Sequence, residues 1–441
     1  MAFEGVGDMV LHLIIEKLGP KQTAAISCLN KHFKAVASDE VIWSQFCSSD
    51  FQISTPQDPL GKPCSSFKEA YKLWNKEFGM YPWPLVRRVK LCLDAIKTWV
   101  SENFQEAAST LQKGASEAEL EAVEEALGVK FPLPTRVFYR FCNGQDTGRC
   151  FSDFKEDPCL LGLIGGYCFY DYSVDVHLLP LNEIVTQTRH LTRRIRFSRK
   201  RKLIVVASSC NLRKIFFLDC TDGLLYVNTK YRKVDINLMA CVPGALVNTV
   251  HALDSGDQQD GMLLWLEEFA RRLQSGVIGV REENNARSIC LYPETPPLCS
   301  TAVTRGVQVR ASAVFVPELS DLDQPMNKYL FSYSIRMHLL PLENSSGNPM
   351  SSCQLYWRHW IIRANDAIIS DVSDKAVIGK HPLLREGGKE FVYQSCTSSP
   401  LPSGSIEGSF TFVPGRLNNP QGGQFDAEVA QFPLELPDYI F

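Results

Sequence analysis

Val307-Gln-Val-Arg-Ala-Ser-Ala-Val-Phe315 and Tyr329-Leu-Phe-Ser-Tyr-Ser-Ile-Arg-Met-His-Leu339 carry apolar side chains at every second position. Val307, Val309, Ala311, Ala313 and Phe315 alternate in the first run, and Tyr329, Phe331, Tyr333, Ile335, Met337 and Leu339 in the second. A period of two turns one face of a strand to a core and the other to solvent. The alternation returns at Ile406, Phe410 and Phe412 and again at Phe425, Ala427 and Val429, between Gly, Pro and Asn turns and with no strong helical period. Residues 298–441 are therefore expected to form an all-β domain, an antiparallel sandwich.

Upstream of this region the pattern changes. Residues 276–297 hold Glu282-Glu-Asn-Asn285, Pro293, Pro296 and Pro297 and show neither period, which predicts a linker between two independently stable units and a first site of proteolysis. Residues 96–275 mix both periods and are expected as an α+β domain. Helices are predicted around Leu91–Val100 and Glu117–Leu127, the second capped by Ser116 with Glu119 in its first turn and stopped by Gly128. Strands are predicted at Leu203–Ala207 and Ile215–Leu218, and Trp265, Phe269 and Leu273 mark a closing helix. Residues 51–95 form a helical connector: a loop rich in Pro, then an amphipathic helix through Phe67, Tyr71, Trp74 and Phe78, ended by Pro82 and Pro84. Residues 1–50 predict three short helices, with Val10, Leu11, Ile14, Ile15 and Leu18 on the first, Ile26 and Leu29 on the second, and Phe33, Val36, Trp43 and Phe46 on the third. A unit this small buries too little surface to be comfortable alone, so part of its apolar surface is expected to face a neighbour or partner.

Composition agrees with several packed cores. At about 150 residues per domain, 441 residues suggest about three, and 45% hydrophobic against 22% charged residues is globular composition. The net charge of −3 gives no long-range field for nucleic acid or an anionic membrane, and no apolar run approaches the ~20 residues of a membrane span. Fifteen cysteines, without C-x-x-C pairs or Cys/His clusters at zinc spacing, are expected as reduced thiols in a cytoplasmic or nuclear protein, with no metal and no cofactor.

Three resemblances follow. Asp8-Met-Val-Leu-His-Leu-Ile-Ile-Glu-Lys-Leu18, Ile26-Ser-Cys-Leu29, Asn30-Lys-His-Phe33 and Ser38-Asp-Glu-Val-Ile-Trp43 resemble an F-box, departing at Val6-Gly7, where Leu-Pro is usual, and at Phe33, where Trp is frequent. Glu119–Leu127, Gly128-Val-Lys-Phe-Pro132, Phe141-Cys-Asn-Gly144, Leu179-Pro-Leu-Asn-Glu-Ile184 and Asp219-Cys-Thr-Asp-Gly223 resemble the SUKH superfamily, which implies a protein-recognition scaffold. Thr304-Arg-Gly-Val, Arg358-His-Trp-Ile-Ile-Arg363, Val377-Ile-Gly-Lys-His-Pro382, Phe391-Val-Tyr-Gln-Ser-Cys396 and Gly404-Ser-Ile-Glu-Gly-Ser-Phe410 look like an ApaG domain, implying a fibronectin-III-like sandwich. The order resembles F-box-only proteins with a C-terminal ApaG domain, of the plant Skp-interacting-partner type.

That resemblance implies a non-catalytic subunit of an SCF-type ubiquitin ligase. Its F-box would dock on a Skp-type adaptor through Val10, Leu11, Ile14, Leu18, Ile26, Leu29 and Trp43, and through it on cullin and RING subunits, while the other domains recruit an unknown protein target. The competing reading is a small-molecule or phosphate sensor built on the ApaG sandwich. ApaG proteins carry Gly-x-Gly-x-x-Gly, whose open backbone donors suit a pyrophosphate. Here the aligned stretch is Asp374-Lys-Ala-Val-Ile-Gly379, so a loop using Lys375, Gly379 and Lys380 is disfavoured by geometry and charge. The run from Arg189 to Lys202, with Arg193, Arg194, Arg199, Lys200, Arg201 and Lys202, is a basic patch suited to nuclear import or an acidic partner, or else a solvated loop. Nucleic-acid binding ranks below these, since the run offers no stacking platform. His359 and His381 have Cys353 and Asp366 nearby, yet no spacing supplies a nucleophile with a base and an orienting group.

Overall fold

A computed structural model describes residues 8–146, 148, 160–194, 201–230, 237–248, 258–283, 286–341 and 350–441. Four helices open the chain, α1 (Asp8–Leu18), α2 (Pro20–Ile26), α3 (Lys31–Val36) and α4 (Glu40–Phe51). The connector contributes α5 (Phe67–Phe78) and α6 (Trp83–Asn103), followed by the single turn α7 (Gln105–Ala108). α5 already ends at Phe78, with Gly79 as its cap, and Pro82 and Pro84 instead start α6, because the first helical turn has N–H groups without intrahelical partners and tolerates proline. Aromatic packing continues without a break from this connector into the next domain: Phe78 stacks on Phe141 at 4.3 Å and Phe51 on Trp74 at 4.7 Å.

The middle domain is α+β. Its helices are α8 (Glu117–Leu127), α9 (Leu133–Phe141), α10 (Leu181–Arg194) and α11 (Gly261–Gln274). Ser116 and Glu119 form a reciprocal capping box at the start of α8, and Gly128 ends it at φ 66°. Strands β1 (Gly165–Phe169), β2 (Tyr172–Leu178), β3 (Leu203–Ser209), β4 (Ile215–Asp219), β5 (Leu225–Asn228) and β6 (Leu238–Ala240) form an antiparallel meander. The sheet does not stop there. β7 (Gly279–Glu283) and β8 (Ala286–Cys290) extend it to eight strands, in the order β6-β5-β4-β3-β2-β1-β8-β7.

This hairpin corrects the expected linker at 276–297. β8 lies parallel to β1, with Gly166 opposite Cys290, and the approach depends on Gly165 at φ 75°, where a Cβ would meet the Ile289 carbonyl oxygen at 2.2 Å. The acidic, proline-rich composition hid the strands because β7 is the sheet edge and β8 turns Arg287 to solvent. Glu294, beyond the hairpin, receives Arg281 at 2.5 Å, Arg310 at 3.0 Å and Arg336 at 3.1 Å, so the segment fastens the flanking domains together.

The C-terminal domain is the expected all-β sandwich. One sheet runs β15 (Phe391–Ser399), β11 (Tyr329–Leu339), β10 (Val307–Phe315), β9 (Cys299–Thr304). The other runs β13 (Ala367–Lys375), β12 (Ser352–Ala364), β16 (Ser403–Arg416), β17 (Asn419–Pro420), with β14 (Leu383–Arg385) on β12 and β18 (Phe425–Glu435) on β16. Val307, Val309, Ala311, Phe331, Tyr333, Ile335 and Met337 are buried as the alternation requires, and Tyr333, Trp360, Phe410 and Phe432 interlock across the two sheets. Trp357 and Tyr329 are only half-buried. A register shift between Leu355 and Trp357 separates Trp357 from the inward-facing alternation of its strand.

Candidate functional site

The N-terminal helices are set at their angles by side-chain caps. Asn30 Oδ1 accepts from the Phe33 N–H at 2.9 Å to start α3, and Asp39 Oδ1 accepts from the Val41 N–H at 2.8 Å to start α4. On α1, Leu11 and Ile15 form one apolar stripe and Val10, Ile14 and Leu18 a second, one residue and hence about 100° around the helix. The first stripe is buried. The second is not: Val10 is 51% and Leu18 40% exposed, and Ile14 is half-buried.

Of the seven residues expected at the adaptor surface, Val10, Leu18 and Leu29 are exposed and Ile14 and Ile26 half-buried, whereas Leu11 and Trp43 belong to the core. Both are corrected here. The Trp43 indole N–H donates to the Ala37 carbonyl at 2.8 Å and its ring packs against Tyr71 and Phe46, so it holds α4 against α5 and presents no surface. Leu13 and Val41, which sequence reading left out, are 57% and 61% exposed. Leu13 was discoverable, since it lies three residues beyond Val10 on the outer stripe. Fully burying one such side chain stabilises by about 1.5–3 kcal/mol, a gain that these exposed positions leave for an association.

The other expected sites divide differently. Arg199 and Lys200 lie outside the described residues, and so do the side chains of Arg193 and Arg194. The Arg201 guanidinium sits over the Tyr226 ring at 4.9 Å, and Lys202 is exposed. In the loop after β13, Ala376 and Ile378 have φ of 66° and 48° beside Gly379 at 68°, so the left-handed turn persists although the family's glycine at 376 is gone. Four of its N–H donors are already engaged. The Lys375 N–H donates to Asp374 Oδ1, the Ala376 N–H to the Tyr356 carbonyl, and the Val377 and Lys380 N–H groups to each other's carbonyls. Lys375 and Lys380 keep exposed ammonium groups.

Nor do the histidines line up with a nucleophile. His359 Nε2 is 2.8 Å from Asp371, His381 Nδ1 is 3.0 Å from the Leu355 carbonyl, and burial pushes the Cys353 thiol up to about 12. Cys210 Sγ does approach His177 Nδ1 at 3.7 Å, but His177 Nε2 stands 4.0 Å from Asp175, too far for the hydrogen bond that orients a catalytic base. Among the described residues no group of three His, Cys, Asp or Glu is placed to hold a metal, and no helix is long and apolar enough to cross a membrane.

The joint between the middle and C-terminal domains is polar and buried. Glu318 accepts from Tyr167 at 2.8 Å and Tyr172 at 3.2 Å, and Lys214, fully buried, donates to the Tyr167 hydroxyl at 3.1 Å. Burial lowers the Lys214 pKa, opposed by the charge of Glu318, and burial raises that of Tyr167. Tyr170 meets Ser395 at 2.7 Å and Tyr292 meets Ser332 at 2.5 Å across the same joint.

A small helical unit with an uncovered apolar stripe is thus joined to an α+β domain and an all-β sandwich that are locked together by buried hydrogen bonds. Residues 114–234 match the SMI1 / KNR4 family (SUKH-1) and residues 320–414 the ApaG domain family. The chain is 53% identical to F-box protein SKIP16 of Arabidopsis thaliana over all of both chains, and 24% identical to human F-box only protein 3 over 93% of this chain and 79% of that protein. Protein ApaG of Anaeromyxobacter dehalogenans is 36% identical over 31% of this chain and 96% of its own length. The chain belongs to the family of F-box proteins with a SUKH domain and a C-terminal ApaG domain.

Proposed function

We propose that this chain is the substrate-recognition subunit of an SCF-type E3 ubiquitin ligase, acting in the cytoplasm, the nucleus or both. Its F-box docks on a Skp-type adaptor, and through that adaptor it joins the cullin and RING subunits. The SUKH and ApaG domains hold a protein target. The chain performs no chemistry: it raises the effective concentration of a target lysine at the charged ubiquitin carrier. The observation that supports this best is the outer stripe of Val10, Leu13 and Leu18, apolar yet left uncovered in a family of F-box proteins. The phosphate-sensor reading is weakened by the engaged N–H groups of Lys375, Ala376, Val377 and Lys380.

Titration of the full chain with purified Skp-type adaptor tests the reading. Val10→Arg/Leu18→Arg puts charge into a desolvated contact, costing about 3 kcal/mol or more, a hundredfold or more in Kd. Loss of binding with unchanged circular dichroism is expected. Undiminished binding by the folded variant would overturn the docking surface.

A further inference from the structure

The last residues of the chain leave the sandwich and enter the middle domain. β18 ends at Glu435; the Leu436 N–H still donates to the Pro402 carbonyl, and beyond it Tyr439-Ile-Phe441 lies in a cleft bounded by α11, by Lys214 just before β4 and by Cys241 just after β6. The cleft reads the main chain at successive positions. The Ile440 N–H donates to the Cys241 carbonyl at 3.1 Å, the Ile440 carbonyl accepts from the Trp265 indole at 2.7 Å, and the Phe441 main-chain oxygen accepts from Lys214 Nζ. It also reads one side chain. The Phe441 ring stacks on Trp265 at 5.6 Å, touches Phe269, and lies under the Arg272 guanidinium at 4.8 Å.

These partners have the chemistry of a ligand site rather than of ordinary core packing. Two side chains, an indole and an ammonium, supply the donors to an incoming backbone, while a carbonyl at the sheet's end supplies the acceptor. Lys214 is fully buried, and its ammonium is costly to keep there without an oxygen to accept from it. A cavity of about 90 Å³, bounded by Tyr167, Arg272, Ile278, Leu291 and Phe315, adjoins Phe441, so the site is not closed down to that one side chain. We propose that this cleft of the middle domain is a peptide-binding site for short extended segments in which an aromatic residue follows an aliphatic one, occupied in this structure in cis by Tyr439-Ile-Phe441.

The cis segment competes at the high effective concentration of a tethered ligand, so the intact chain binds such a peptide in trans only weakly. The test uses the full chain and a fluorescent peptide of residues 436–441, Leu-Pro-Asp-Tyr-Ile-Phe. Ile440→Pro/Phe441→Ala removes the N–H that donates to Cys241 together with the ring, vacates the cleft and is expected to bind the peptide at least tenfold more tightly than the parent. Adding Lys214→Met or Arg272→Ala is expected to remove that gain. A folded double variant that binds no better than the parent overturns the proposal, as does binding indifferent to both Lys214→Met and Arg272→Ala. Should the double variant melt early, saturating peptide is expected to raise its melting temperature, and an unchanged temperature overturns the proposal equally.

Discussion

The two ends of this molecule violate the simplest rule of protein interiors in opposite directions. The F-box unit leaves Val10, Leu13, Leu18, Leu29 and Val41 outside, whereas the joint between the SUKH and ApaG domains takes Lys214 and Glu318 inside. An uncovered apolar side chain forgoes stabilisation that a partner can supply, so it marks an association still to be made. A buried charge is tolerable only when its partners are in place, so it marks an association already complete. The N-terminal unit therefore keeps apolar surface that its own fold does not cover, and the two C-terminal domains are built to stay together.

The joint carries the largest expected effect. Glu318→Ala leaves Lys214 buried without a compensating charge that opposes its desolvation and strips Tyr167 and Tyr172 of an acceptor, and about 3–5 kcal/mol of stability is expected to go. Urea denaturation measures it; a loss below 1 kcal/mol would show that the joint is not held by this network. Next comes a pair within α1. Leu11→Ala, in the core, is expected to cost about 2–5 kcal/mol, while Val10→Ala, one residue away, stays within about 0.5 kcal/mol and weakens adaptor binding instead. Equal thermal shifts for the two would erase the distinction between inner and outer stripes.

A pH experiment sharpens the contrast inside the middle domain. Burial alone would raise the Glu124 carboxyl, but hydrogen bonds from Lys130, the Phe131 N–H and Arg136 prevail and hold it below the usual carboxylate range. A carboxyl depressed in the folded state stabilises above its unfolded pKa and loses that contribution as pH falls through the folded value. Glu124→Gln is therefore expected to flatten the decline of stability below about pH 4, the ordinary range of a free carboxylate, and a parallel decline in both proteins would refute the assignment. The smallest effect is expected at the ApaG loop, where pyrophosphate at low ionic strength should give no binding heat, since the N–H groups of Lys375, Ala376, Val377 and Lys380 are spent. Micromolar binding abolished by Lys375→Ala/Lys380→Ala would revive the sensor reading.

Much of the architecture was legible because it depends on neighbours in sequence. The alternation in β10 and β11, the Ser116/Glu119 capping box and the Gly128 stop are local rules, and the structure follows each of them. The hairpin 279–290 was illegible for the opposite reason. Its Glu, Arg and Asn residues suit a sheet edge in water, and only the partner strand β1, more than a hundred residues earlier, makes it a strand. The site was half legible: spacing identified Val10, Leu11, Ile14, Ile15 and Leu18 as the apolar residues of α1, yet the two stripes they form, about 100° apart, carry equivalent chemistry.

By itself, then, the amino-acid order determined the helical, mixed and all-β regions and the family resemblance of each, since periodicity, caps and turns act over a few residues. Tertiary structure alone decided that Leu11 and Trp43 are core while Val10 and Leu29 are surface, that the expected linker is a hairpin, and that Phe441 lies against Trp265. Burial is a property of what packs against a residue, and those partners come from distant parts of the chain that no local pattern specifies.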